Sequence, residues 1–87
     1  MLTVTVAALN RLSKKLAHRK AANEVAMRFS RGDGGWKLHE DEVRAADTVF
    51  AHGGRPVLVL DKAVSEAMSG MKLDVKDTGA GPRLSLR

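Results

Sequence analysis

Val6, Leu9, Leu12 and Leu16 recur at spacings of three, three and four. At about 100° per residue they fall on one stripe, with Arg11, Lys14, Lys15 and His18 opposite. The pattern predicts an amphipathic helix from Val6 to Arg19, with Thr5 placed to cap its N-terminus. The stripe is narrow and has no aromatic residue, so it reads as core packing rather than membrane docking. Further on the period changes to two. Val25, Met27 and Phe29 alternate with Ala26, Arg28 and Ser30, the signature of a half-buried strand. The glycines of Arg31-Gly32-Asp33-Gly34-Gly35 turn the chain, and Trp36 and Leu38 alternate with Lys37 and His39 in a second, shorter strand. Glu40-Asp41-Glu42 and Ala45-Ala46 read as surface connection.

Thr48-Val49-Phe50 and Val57-Leu58-Val59-Leu60 flank Gly53-Gly54, a hairpin signal because glycine accepts positive φ at both turn positions. Pro56 belongs at the start of the second strand, where its missing N–H is tolerated. Asp61 can cap a short helix over Lys62 to Ser69, which Gly70 can end. Met71, Leu73 and Val75 form another alternating strand, Asp77 to Pro82 turns the chain, and Leu84 with Leu86 closes on a last short strand. The expected fold is one α+β domain over residues 1–87, mostly short strands in a compact sandwich-like or barrel-like arrangement. An N-terminal amphipathic helix and one short second helix complete it.

Composition narrows the function classes. The chain has 87 residues, 44% of them apolar, enough for one modest core. The cysteine count is zero, which removes disulfides, thiolate metal sites and a cysteine nucleophile from these residues. The longest aliphatic run, Val57 to Leu60, is far short of a membrane span. Met1 to Leu9 lacks the basic start of a secretion signal, so a soluble cytoplasmic protein is expected. The net charge of +5 is uneven: residues 1–31 carry seven basic side chains against one acid. Four of these, Arg11, Lys14, Lys15 and Arg19, lie along the predicted helix and are the candidate contacts for an anion or a nucleic acid.

No reaction chemistry is assembled. His39-Glu40-Asp41-Glu42 offers metal-binding atoms, but adjacent residues rarely converge on one ion, and His52 beside Gly53 reads as a turn residue. The serines have no nucleophile-elbow context, and Gly32 to Gly35 lacks the lysine and Ser/Thr of a phosphate loop. Arg31-Gly32-Asp33 matches an integrin-recognition tripeptide by coincidence in a chain read as cytoplasmic.

The ordered segments resemble the HesB-like, A-type iron–sulfur carrier family. Leu2-Thr3-Val4-Thr5-Val6-Ala7-Ala8-Leu9 is similar to that family's opening strand, threonine and helix. Asp47 to Gly54 resembles its Asp-Thr-Val-Phe segment with a following glycine. Val57 to Lys62 resembles the next strand and its aspartate, and Ser69 to Val75 the continuation through Gly70, Leu73 and Asp74. The resemblance implies iron or a cluster held by three cysteines, one after a Gly-Gly pair and two in a C-terminal Cys-x-Cys. Here Gly34-Gly35 is followed by Trp36, and the C-terminal pair has no counterpart before Leu86-Arg87. An indole N–H donates and cannot replace a thiolate.

The expected function is therefore that of a cluster-free, non-catalytic protein-binding or regulatory module with no cofactor. Its protein partner would belong to iron–sulfur assembly and meet Gly34, Gly35 and Trp36. Trp36 either anchors that contact or fills the space of the missing ligand site, and the resemblance implies a homodimer. The competing reading is a small basic nucleic-acid-binding protein that uses Arg11, Lys14, Lys15 and Arg19. Aromatics at 3% leave few stacking platforms, so such binding would be weak and salt-sensitive.

Overall fold

The computed structural model describes residues 2–20, 22 and 24–87. Strand β1 (Thr3–Val4) leads directly into α1 (Val6–His18). Thr5 caps the helix, its Oγ1 accepting from the Ala8 N–H at 3.1 Å, and Arg19 forms the C-cap. Ala8, Leu12 and Leu16 are fully buried, whereas Val6 is 74% exposed. The expected stripe therefore loses its first member. On a 100° wheel Ala8, Leu9, Leu12 and Leu16 span about 100°, and Val6 lies about 60° beyond Leu9, outside the face the sheets cover.

Strands β2 (Val25–Gly32) and β3 (Gly35–Glu42) form a hairpin that pairs from Gly32–Gly35 back to Val25–Glu42. Two expectations change here. β3 is as long as β2, and Glu40-Asp41-Glu42 is part of its ladder rather than connection. The alternation expected for β2 also fails, because Ala26, Met27, Arg28 and Phe29 are all buried. β2 lies inside its sheet, covered on both faces, and Arg28 is accommodated on the second face by carboxylates instead of water.

Strands β4 (Thr48–His52) and β5 (Arg55–Leu60) form the second hairpin. Gly53 and Gly54 have φ of 63° and 77°, the pair of positive values that a two-residue turn between twisted strands requires. β5 runs parallel to β2 and completes a four-stranded sheet in the order β3-β2-β5-β4. Its Val57-Leu58-Val59-Leu60 run is wholly buried, as expected for a central strand with both faces covered.

Asp61 caps α2 (Lys62–Ala67) by accepting from the Val64 N–H at 2.8 Å. This helix ends two residues earlier than the sequence predicts, with Met68 as a fully buried C-cap residue. Strands β6 (Lys72–Thr78) and β7 (Gly81–Leu86) form a third hairpin whose turn is only Gly79-Ala80. Asp77 and Pro82 pair within it, and Pro82 is tolerated because β7 is an edge strand. β1 adds in parallel to β6, giving a second sheet in the order β1-β6-β7. The described residues thus form two sheets and no closed barrel. α1 packs against β2, β4 and β5 of one sheet and β6 of the other, so its buried stripe joins the two.

Candidate functional site

The Gly34-Gly35-Trp36 segment closes the β2–β3 hairpin. Asp33 and Gly34 form the turn, and Gly35 has φ of 117°, a conformation a side chain would strain. The register places Arg31 directly across from Trp36, and the guanidinium carbon of Arg31 lies 4.9 Å from the indole centroid, a cation–π contact. Trp36 is half-buried and packs on the edge of the core. With Arg31 and with Ala63, Val64 and Ala67 of α2 it lines a small, largely apolar depression of about 140 Å3. The indole therefore packs beside α2 and leaves part of its surface exposed.

The basic residues of α1 do converge. Arg11, Lys14, Lys15 and Arg19 line one cleft of about 470 Å3 together with His18. Arg11 and Lys15 continue into an adjoining cleft of about 420 Å3 with Leu38 of β3 and with Arg83 and Leu84 of β7. Arg83 was not a sequence candidate, and no local pattern singles it out; the meeting of two sheet edges under α1 brings it there. Arg19 is anchored, its Nη1 donating to Glu40 Oε1 at 3.1 Å. The two candidate surfaces share β3, whose residues 36, 38 and 40 alternate onto one face. Trp36 meets α2, Leu38 lines the basic cleft, and Glu40 meets the end of α1.

Behind this face lies an ion cluster that the sequence did not announce. Arg28 forks onto both oxygens of Asp47, donates from Nε to Asp41 Oδ2 at 2.8 Å, and reaches the Glu42 carbonyl at 3.1 Å. Its pKa is raised, chiefly by the hydrogen bond to Asp47, and that bond in turn holds Asp47 below the usual carboxylate range. Asp41 is also lowered, first by the Glu42 N–H. Each nitrogen of the guanidinium and each carboxylate oxygen of Asp41 and Asp47 is engaged within the chain, so the cluster supports the fold. His39 contacts Ser30 at 3.4 Å on the opposite face of β3, and His52 ends β4. Among the described residues no three His, Asp or Glu side chains gather as a metal site.

No protein-family model matches the sequence, and neither does any curated protein. Solved structures do match. The crystal structure of Escherichia coli SufA, involved in biosynthesis of iron–sulfur clusters, is 25% identical, with a TM-score of 0.71 over 99% of this chain and 83% of that one. A solution structure of a protein from Aquifex aeolicus is 22% identical, with a TM-score of 0.66 over 99% and 89%. The crystal structure of IscA with a 2Fe–2S cluster is 15% identical, with a TM-score of 0.60 over 100% and 81%. The chain has the A-type iron–sulfur carrier fold. Its donors do not fit such a cluster, because it contains no cysteine and Trp36 follows the Gly-Gly pair.

Proposed function

We propose that this chain is a cluster-free protein-binding module that uses the A-type carrier fold as a scaffold and acts by contact rather than catalysis. The observation that carries the reading is an overlay along essentially the whole chain on iron–sulfur assembly proteins, combined with the absence of any thiolate. The contact runs through Gly34, Gly35 and Trp36, where a half-buried indole beside α2 supplies a rigid amphipathic anchor. The partner belongs to iron–sulfur assembly, and the chain self-associates as a homodimer. Among the described residues no helix is long and apolar enough to cross a membrane, consistent with action in the cytoplasm.

The test is elemental analysis and visible absorption of protein purified anaerobically, followed by capture of candidate assembly proteins on wild type and Trp36→Ala. The expected result is no stoichiometric iron, no visible band, and capture that Trp36→Ala abolishes. Stoichiometric iron would overturn the reading and direct attention to His39, His52 and nearby carboxylates. Capture unchanged by Trp36→Ala would remove the hairpin from the contact.

A further inference from the structure

We propose that the cleft between α1 and the edge strands β3 and β7 binds an extended acidic peptide segment of a partner protein, with carboxylates alternating with apolar side chains. The proposal rests on the reading of the chain as a protein-binding module but uses a surface other than Trp36.

The first support is uncompensated charge. Arg11, Lys14, Lys15 and Arg83 line the adjoining clefts, no Asp or Glu lines them, and none of these four has an ion pair with a described carboxylate. Arg11, shared by these clefts along α1, has a buried Nε without a hydrogen-bond partner among the described residues. The arrangement also works against the isolated fold. Lys14 follows Arg11 by three residues and Lys15 by four on one helix face, and Arg83 lies directly opposite Lys76 in the β6–β7 ladder. Like charges at those spacings repel, and a bound anion would relieve them.

The second support is what lies between the cations. Leu38 and Leu84 line the same cleft, and Ala7, Val75 and Pro82 line its extension. β3 and β7 are both edge strands, so an extended segment finds main-chain groups as well as side chains. Arg11 to Arg19 spans about 12 Å of helix, the reach of roughly four extended residues. A single-stranded nucleic acid suits the cleft less well, because no Phe, Tyr or Trp lines it and Trp36 faces the separate depression beside α2.

Fluorescence anisotropy with a short labelled peptide alternating glutamate and leucine tests this. The comparison ligands are a glutamate–serine peptide of equal charge and a single-stranded oligothymidylate. Saturable binding to the glutamate–leucine peptide is expected, weakened about tenfold or more by Lys15→Glu and by Arg83→Glu. Trp36→Ala should leave it unchanged, so this result and the Trp36 contact can fail independently. Thermal melts establish that both charge variants are folded, and Arg83→Gln supplies a milder variant with an intermediate loss. No peptide binding would overturn the proposal. Equal affinity for the glutamate–serine peptide would reduce the cleft to general charge attraction and also overturn it. Tighter binding of the oligothymidylate, lost in the same variants, would make the surface a nucleic-acid interface instead.

Discussion

Arg28 and Asp47 form a two-pronged ion pair in which both side chains are almost completely buried, at 5% and 3% exposure. Arg28 brings its charge from the middle of β2, and Asp47 brings its own from the residue before β4, so the pair fastens the connection after β3 onto a central strand. The Arg44 N–H adds a bond to Asp47 at 2.7 Å. Removing Asp47 leaves a buried guanidinium with only Asp41 opposing it. Asp47→Ala is expected to cost about 3–5 kcal/mol, measured by urea unfolding. A loss below about 1 kcal/mol would mean that water replaces the carboxylate without penalty.

The same cluster sets the acid limb of stability. Asp47 is lowered chiefly by its bond to Arg28, and Asp41 chiefly by the Glu42 N–H, from carboxylates that titrate near ~3.9 when unfolded. Groups depressed in the folded state contribute fully above the unfolded value and lose that contribution as pH falls through the folded one. Arg28 is raised, so its contribution is complete at every pH below its ordinary value and does not change through neutrality. The melting temperature should therefore be flat from these groups above about pH 5 and fall steeply below about pH 4. Asp47→Ala should show a shallower acid limb, which a pH series of thermal melts reads directly.

Most of the element order was legible in the sequence because turns and caps are local. Thr5, Asp61 and Gly53-Gly54 act at the positions where their chemistry predicts. Arg28 was misplaced because a period of two says which residues alternate, but not whether the second face meets water. The connection after β3, through Asp47, folds back over that face in a way only the tertiary fold decides. Val6 failed for a geometric reason, since three spacings taken pairwise hide a drift that a wheel reveals. The Arg31–Trp36 contact could have been found: a two-residue turn at Asp33-Gly34 fixes the register that sets the two residues opposite. Arg83 could not, because its place beside α1 depends on how two separate sheets meet.

Thr5 joins the opening of the helix to the second sheet. Its Oγ1 accepts from Ala8 N–H and donates to Asp74 Oδ1 at 2.8 Å, while its own N–H donates to the Leu73 carbonyl at 3.0 Å. Asp74 is held below the usual carboxylate range first by the Val75 N–H and then by this hydroxyl. Thr5→Ala removes both side-chain bonds and is expected to cost about 0.5–2 kcal/mol. Thr5→Ser keeps the oxygen and should recover most of that loss. Carboxyl titration by NMR should show Asp74 moving up toward its ordinary value in Thr5→Ala only.

Salt should stabilise this protein, which is the opposite of what surface ion pairs alone would give. The described ion pairs that face water, Arg19–Glu40, Arg44–Asp41 and Arg87–Asp74, each leave the arginine more than 60% exposed, and such pairs contribute about 0–1 kcal/mol and weaken with salt. The repulsion of Arg11 with Lys14 and Lys15 on the partly exposed face of α1, and of Arg83 with Lys76, also weakens over the range in which the screening length falls from about 10 Å at 0.1 M to about 3 Å at 1 M. The buried Arg28–Asp47 pair is screened least and changes little. With a net charge of +5, the repulsive set outweighs the exposed pairs, so the melting temperature should rise with added sodium chloride. Lys14→Glu, which turns the like-charge spacing between Arg11 and position 14 on α1 into an attractive one, should raise the low-salt melting temperature and flatten the salt dependence. A melting temperature that falls with salt in the wild type would mean that the cleft's cations are already neutralised within the chain.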